Sequence, residues 1–117
     1  MRRIFVINYK DDTYIVYRHI SPSGKNYIGI THQKLSLRWR SRGQGYRGSS
    51  VFYNAIQKYG WSNIRHEILF EGLSYEEACE KEQEMIKKYN SRVPNGYNVD
   101  EGGYAGTCFK KSVIGFD

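Results

Sequence analysis

Two short runs of alternating side chains mark the first third of the chain. In TYIVYRHI (13–20) the alternation places Tyr17 and His19 on one face of a strand. A turn rich in serine, proline and glycine follows, and NYIGI (26–30) returns as a second strand. The pattern predicts a β-hairpin with Tyr17 and Tyr27 on neighbouring strands. Whether the two tyrosines share a face depends on the strand register, which alternation alone does not fix.

Two segments in the middle of the chain have helical periodicity. The first prediction is a helix over residues 34–42, on which Arg38 and Arg42 lie one turn apart and Arg40 points nearly opposite. The second is a helix over residues 49–60, which opens with serines suited to an N-cap and closes on a glycine. Both helices are short, and the first carries a dense set of arginines.

The last predicted helix presents a carboxylate on its apolar face. SYEE (74–77) is a capping box, which fixes where this helix begins and hence the phase of its faces. At about 100° per residue, Ala78, Met85 and Tyr89 form one apolar stripe, and Glu82 lies in its middle. A lone ionised carboxylate costs several kcal/mol to bury. We therefore expect Glu82 to lie at the edge of the stripe, to pair with an arginine, or to bind a metal ion.

The remaining segments predict further strands and a tail. NIRHEILFEG (63–72) is expected to form a third core strand with apolar Ile68 and Phe70. RIFVINYK (3–10) is a possible extra N-terminal strand. After Asn98 the chain is rich in glycine, which is typical of a linker or a loosely packed terminus.

Size and composition are those of one domain with a packed core. The 117 residues are 39% hydrophobic and 15% aromatic, and no apolar run approaches the roughly 20 residues of a membrane span. Two arginines and a short apolar run at the start make a poor signal peptide. Cys79 and Cys108 are too few for a disulfide framework and show no metal-ligand spacing with the histidines. These features predict a cytoplasmic protein without a membrane partner.

Basic charge is concentrated in one segment. The chain has 18 basic and 12 acidic residues, a net charge of +6 and a pI of about 9.3. Residues 34–47 hold five basic residues and no acid, whereas eight of the acids fall between Glu67 and Asp100. This distribution predicts a polyanionic partner, most often nucleic acid, although solvated charges would also explain it. The expected DNA contacts are Lys34, Arg40, Arg42, Arg47 and Lys58.

Four short motifs occur in the order and spacing of a known nuclease family. They are IVY with YIG (15–17 and 27–29), Arg38-Trp39 nine residues after Gly29, EKEQEMIKKYNS (80–91) around Glu82, and NGYN (95–98). Through these motifs the chain resembles the GIY-YIG nucleases over about residues 13–103. The nearest likeness is to the catalytic domains of phage and mobile-intron homing endonucleases. The resemblance implies an α+β fold, a small three-stranded antiparallel sheet flanked by helices, with residues 1–12 as an N-terminal extension and 104–117 as a tail or linker.

The resemblance also implies roles for individual residues. Arg38 would contact the phosphate as negative charge develops on it. Tyr17 or Tyr27 would orient the attacking water or take its proton, and the family usually favours the first tyrosine as the base. Glu82 would bind one Mg²⁺ or Mn²⁺ ion, since Mg²⁺ takes one or two carboxylates together with water and phosphate oxygens. The resemblance also implies structural roles at the site for Gly29 and Asn98.

Two positions depart from the family pattern. Ile15 stands where the first glycine of the paired motif is expected, which bears on backbone packing more than on chemistry. Many members carry a histidine one turn after the arginine, and this chain has Arg42 there. A guanidinium does not act as a base, but it can hold a phosphate through two hydrogen bonds. We therefore expect Arg42 to bind DNA rather than to transfer a proton.

The combined prediction is a metal-dependent endonuclease acting on double-stranded DNA, a homing-endonuclease-like catalytic domain. Homing endonucleases usually carry a separate DNA-binding region after the catalytic module, and we expect none within these 117 residues. We expect either a catalytic fragment of a protein with a separate specificity domain, or a compact nuclease that gains specificity from loops, a homodimer or a partner. Two alternatives stay open: a small restriction or repair nuclease, and a catalytically silent nucleic-acid-binding module.

Overall fold

A β-hairpin and one returning strand form the sheet of the computed structural model, which describes residues 13–48 and 50–99. The strands are β1 (Tyr14–Ile20), β2 (Asn26–Thr31) and β3 (Arg65–Leu73). Their order is β2-β1-β3, and both neighbouring pairs are antiparallel. The three-stranded antiparallel sheet expected from the sequence is confirmed. The possible N-terminal strand, the extension that contains it and the glycine-rich tail lie outside the described residues.

The strand register places four ring-bearing side chains on one face of the sheet. Tyr17 pairs with Gly29, while His19 pairs with Tyr27 on one side and with His66 on the other. Cross-strand partners point to the same face, and so do residues two apart along a strand. Tyr17 and Tyr27 therefore face the same way.

Within the described residues, three α-helices flank the sheet, α1 (Leu35–Gly43), α2 (Ser50–Tyr59) and α3 (Tyr75–Lys88). The capping box at the start of α3 is present as predicted. The Ser74 hydroxyl accepts a hydrogen bond from the Glu77 amide at 3.1 Å, and the Glu77 carboxylate accepts one from the Ser74 amide at 2.9 Å. Among the described residues, no helix is long and apolar enough to cross a membrane.

The first helix is interrupted where the sequence predicted that it continues. Arg40, Ser41 and Arg42 leave the helical conformation, and Ser41 and Arg42 have left-handed φ angles of 46° and 60°. The prediction that Arg38 and Arg42 lie one turn apart is therefore wrong. The break turns the chain so that the ring of Tyr46 becomes buried. That burial offsets the roughly 1–2 kcal/mol that each left-handed residue costs.

Two apolar cores lie on the two faces of the sheet. The core under α3 contains Val16, Ile28, Ala78, Met85 and Ile86. The core under α1 and α2 is largely aromatic and contains Tyr17, Tyr46, Phe52, Ala55, Ile56, Ile64 and Tyr97. Ile68 is 48% exposed, so the prediction that it is a core residue is wrong.

Candidate active site

A glycine allows the first tyrosine of the paired motif to take its position. Gly29 lies opposite Tyr17 in the β1–β2 ladder, and the Tyr17 ring crosses directly over it. A Cβ atom at position 29 would lie 2.5 Å from the Tyr17 hydroxyl oxygen and 2.6 Å from Cζ. Real Cβ atoms essentially never approach another heavy atom that closely. Position 29 must therefore lack a side chain if the Tyr17 hydroxyl is to stay where it is.

A buried asparagine holds the strand that carries this glycine. The Asn98 carboxamide accepts a hydrogen bond from the Ile28 amide and donates one to the Ile28 carbonyl, both at 2.9 Å. The Ser91 hydroxyl donates to the same carboxamide oxygen at 2.6 Å. Because these three bonds satisfy a buried polar side chain and fix a strand at the same time, Asn98 anchors β2 beside Gly29.

Arg38 is fixed from two directions. Its guanidinium lies 4.3 Å above the centre of the Tyr46 ring, and its Nη1 donates to the Gly45 carbonyl at 3.1 Å. Burial alone lowers the pKa of Arg38, but the hydroxyls of Tyr17, Tyr46 and Tyr27 outweigh that effect, and the net pKa is raised. The guanidinium is therefore a permanent cation beside the tyrosine hydroxyls.

The two motif tyrosines are held as neutral phenols in the free protein. Burial raises the pKa of Tyr17, and the Arg38 cation and a hydrogen bond from Tyr46 offset only part of that rise. Burial also raises the pKa of Tyr27, and the neighbouring Tyr17 hydroxyl raises it further. Tyr17 is fully buried, whereas Tyr27 is partly exposed. Neither phenol stores a negative charge at neutral pH.

Glu82 lies close enough to this cluster to act on it electrostatically. Its α3 neighbours Ala78 and Met85 are buried, while Glu82 itself is half-buried. The carboxylate raises the pKa of both Tyr17 and Tyr27, a smaller effect than that of burial. The structure thus brings the four predicted catalytic side chains of β1, β2, α1 and α3 into one electrostatically coupled group.

The donor set around Glu82 suits one kind of metal ion. The described part of the chain contains no group of three or more histidine, cysteine, aspartate or glutamate side chains that could hold a metal ion. Mg²⁺ is commonly bound by one or two carboxylates with water and substrate phosphate oxygens. The half-buried Glu82 carboxylate, which acts electrostatically on the same two tyrosines as Arg38, fits that pattern.

Arg38 lies in the wall of an arginine-lined groove. The groove has a volume of about 720 Å³, and its wall includes Arg38, Arg40 and Arg47 together with the amide side chains of Gln33 and Gln44. Arg40 thus shares the groove with Arg38 instead of pointing away from it. The non-helical backbone at residues 40–42 is the reason for this difference from the prediction.

Three other predicted DNA contacts lie outside the lining of this groove. Lys34 is exposed next to the start of α1, and Arg42 is exposed within its break. Lys58 is exposed near the end of α2, with its ammonium 5.2 Å from the centre of the Tyr59 ring. Of the predicted DNA contacts, Arg40 and Arg47 therefore line the groove, whereas Lys34, Arg42 and Lys58 lie elsewhere on the surface.

Three residues join this cluster that the sequence did not identify. The Tyr46 hydroxyl donates to the Tyr17 hydroxyl at 3.1 Å, and His19 Nε2 lies 2.8 Å from the Tyr46 hydroxyl oxygen. His19 Nδ1 in turn lies 2.9 Å from His66 Nδ1. A weak signal for His19 was its position two residues after Tyr17 on the same strand face. Tyr46 and His66 had no such signal, because only the tertiary fold brings them near.

Comparison with known proteins gives this arrangement a context. Residues 13–98 match the family described as the GIY-YIG catalytic domain. Over 93 residues the chain is 37% identical to a protein of Enterobacteria phage T4 with the curated name "Putative endonuclease segE". That match covers 79% of this chain and 42% of the phage protein, so the chain spans less than half of its relative's length. No solved structure matches the chain.

Proposed function

The chain belongs to the GIY-YIG family, and from this premise we propose that it is a DNA endonuclease. It would hydrolyse phosphodiester bonds in double-stranded DNA with the help of one divalent metal ion. The observation that carries the proposal is the convergence of Tyr17, Tyr27, Arg38 and Glu82 from four elements. Packing alone does not require a permanent cation and a carboxylate to lie near two phenols, one of them fully buried, since removing a charge from water costs free energy.

In this proposal Arg38 binds the scissile phosphate. Its contacts with the Tyr46 ring and the Gly45 carbonyl fix the guanidinium before substrate arrives. A donor that is already oriented stabilises the charge developing on the phosphate without reorganising during the reaction. Arg38 therefore acts mainly on the transition state, whereas more exposed arginines act mainly on binding.

The two tyrosines would share the handling of the attacking water. Tyr27 is partly exposed and would orient the water, while Tyr17 would take its proton. Because Tyr17 is fully buried in the free protein, this role requires the side chains above its hydroxyl to move when DNA binds.

Glu82 would hold the metal ion. When bound, a divalent ion supplies positive charge for the phosphate oxygens and the leaving oxygen. Mg²⁺ or Mn²⁺ suits an oxygen ligand of this kind. Glu82 is half-buried, so its carboxylate keeps room for water and for a phosphate oxygen.

The duplex would follow the basic groove. Arg40 and Arg47 line it together with Arg38, so phosphates on either side of the scissile bond would meet two further guanidinium groups. We propose a catalytic domain over residues 13–103 of the homing-endonuclease type, with target choice supplied by a separate specificity domain, a homodimer or a partner.

Plasmid cleavage tests the proposal directly. Supercoiled plasmid is incubated with the protein in Mg²⁺ and, in parallel, in EDTA, and nicked and linear products are separated by electrophoresis. We expect products in Mg²⁺ and none in EDTA, together with loss of cleavage in Arg38→Ala. Plasmid that is bound in a gel-shift assay but never cut would overturn the proposal and support a catalytically silent DNA-binding module.

A further inference from the structure

An unbroken line of hydrogen-bonding side chains leads away from Tyr17. Its members are Tyr17, Tyr46, His19 and His66, and the successive polar atoms are separated by 3.1, 2.8 and 2.9 Å. His19 is 0% exposed and Tyr46 is 1% exposed, whereas His66 is only half-buried. The line therefore begins at the proposed base and ends at a side chain that water can reach.

His19 is an unexpected residue for its surroundings. Its ring is stacked on Phe52 at 5.1 Å, and the edges of Trp39 and Trp61 complete an aromatic cage. An apolar ring would fill the same space without needing hydrogen-bond partners. Instead, both ring nitrogens are in use, one toward Tyr46 and the other toward His66. The position of the ring connects two titratable side chains that otherwise do not touch.

The protonation state of His19 suits a conductor of protons. Burial, together with the nearby His66 and Arg38, lowers the pKa of His19 to about 2. The ring is therefore neutral, with one nitrogen that donates and one that accepts. A phenol hydroxyl also donates and accepts, and its hydrogen rotates about the C–O bond. The line can thus point its hydrogen bonds either toward Tyr17 or away from it.

We propose that Tyr46, His19 and His66 form a proton relay that takes the proton of Tyr17 while Tyr17 takes a proton from the attacking water. The proposal rests on the proposed nuclease function and adds three residues to it. None of the three touches the reacting atoms, so all three are relay residues that act through Tyr17. The relay removes the need for a stored phenolate, which the buried surroundings of Tyr17 disfavour.

The transfers balance along the line. In the free protein the Tyr46 hydroxyl donates to Tyr17, so it first rotates to donate to His19 Nε2, with His19 carrying its hydrogen on Nδ1, and its oxygen then accepts from the Tyr17 hydroxyl. As the water oxygen bonds to phosphorus, its proton moves to the Tyr17 oxygen, and the original Tyr17 proton moves to Tyr46. The Tyr46 proton moves to His19 Nε2, and the proton on His19 Nδ1 moves to His66 Nδ1. His66 becomes an imidazolium and releases its proton to solvent, while the leaving oxygen takes a proton from water. No step places a net charge on the buried His19 ring after transfer.

Tyr46→Phe is the primary test, because it removes one oxygen and keeps the ring that Arg38 and Phe52 contact. We expect the single-turnover cleavage rate at saturating DNA to fall about 10²-fold, as for loss of acid–base assistance, with the Kd for DNA changing less than twofold. The matched control is Tyr97→Phe, which also loses a buried hydroxyl bond, to Ser21 at 2.8 Å, within the same core. The control should cleave at the wild-type rate.

A second variant separates proton transfer from packing. His66→Ala should lose rate to a similar degree and should regain much of it when imidazole is added, since its position is partly open to solvent.

In wild type the cleavage rate should fall as the pH drops through the His66 pKa, which burial lowers below 6.5. Protonated His66 cannot accept a proton. The groups that face the line are Arg38, Tyr27 and the Trp61 backbone, and among them only Tyr27 titrates, well above neutral pH.

The outcomes distinguish the relay from the nuclease function itself. If wild type does not cleave, the proposed function fails. If wild type cleaves and Tyr46→Phe cleaves as fast as Tyr97→Phe, the relay is overturned while the nuclease function stands. If His66→Ala is impaired but unresponsive to imidazole, its role is structural and the relay is likewise overturned.

Discussion

At the scale of single residues, the site depends on the Tyr17 side chain and on the absence of a side chain at Gly29. The Tyr17 hydroxyl occupies the space where a Cβ of Gly29 would lie. Asn98 keeps that spacing by bonding both polar atoms of the Ile28 backbone. Arg38 lies beside the hydroxyl as a permanent cation. Each of these residues works only in combination with the others, because the position of each is fixed by its contacts.

The substitution Glu82→Gln tests whether Glu82 is a metal ligand or a structural carboxylate. The substitution keeps the shape of the side chain and removes its charge. We expect Mg²⁺-dependent cleavage to fall at least about 10²-fold. Without metal, the free energy of unfolding in urea should match or exceed that of wild type, because a half-buried charge on the apolar stripe no longer needs compensation.

The control for this prediction is Glu80→Gln, an exposed acid on the same helix. It should leave both cleavage and stability unchanged. If Glu82→Gln instead loses about 3–5 kcal/mol of stability while cleavage persists, the carboxylate serves a buried cation and the metal assignment fails.

At the scale of elements, the break in α1 decides how the arginines of the basic segment are arranged. A continuous helix would have spread Arg38 and Arg40 over opposite sides. The left-handed residues after Arg38 instead leave Arg38, Arg40 and Arg47 along one groove. The groove thus contains the arginine proposed to act on the transition state together with two arginines proposed to bind DNA.

The salt dependence of binding tests this groove. Each phosphate contact contributes a slope of about −0.9 to the plot of log affinity against log salt. Replacing Arg40 and Arg47 together with alanine should therefore flatten the slope by one to two units, measured by fluorescence anisotropy with a labelled duplex. A matched pair of replacements at Lys87 and Arg92, exposed residues outside the groove lining, should change it far less. Equal slopes for the two double variants would remove the groove from the interface.

At the scale of the whole molecule, the proposed proton relay and the stability of the aromatic core depend on some of the same side chains. Two of the side chains that would conduct the proton, Tyr46 and His19, are fully buried and pack against Phe52 of α2. Stability and chemistry are therefore coupled through His19, which must remain neutral for both.

This coupling predicts how stability depends on pH. The pKa of His19 is lowered from 6.5 to about 2 in the folded state. Below pH 6.5 the unfolded chain binds a proton that the folded protein does not, so stability falls as the pH falls from 6.5 toward 2. The slope from this residue approaches about 1.4 kcal/mol per pH unit. Urea unfolding at pH 7.5, 6.5 and 5.5 measures it.

A variant without the imidazole isolates the effect. His19→Gln should lower stability at pH 7.5 and should have a flatter pH dependence, because its side chain does not titrate. His66, whose pKa is also lowered, contributes with the same sign and remains in the variant. A pH dependence identical to that of wild type would show that His19 is not the buried neutral group.

The sequence by itself determined the features that depend on neighbouring residues. Alternation and turn chemistry predicted the hairpin, and the capping box fixed the phase of α3 and thereby singled out Glu82. The order and spacing of short motifs identified the family. These signals are local, since periodicity and capping depend on residues within one or two turns of each other.

Only the tertiary structure decided which side chains meet. The register turned Tyr17 and Tyr27 to one face, and the burial of Tyr46 accompanied a break in a helix that periodicity had predicted as continuous. His19 gained its partners from segments 27 and 47 residues away. Strand pairing and core packing join residues that are far apart in the sequence, and their free energy overrides local helical preference. Such interactions produce no periodic pattern from which they could be predicted.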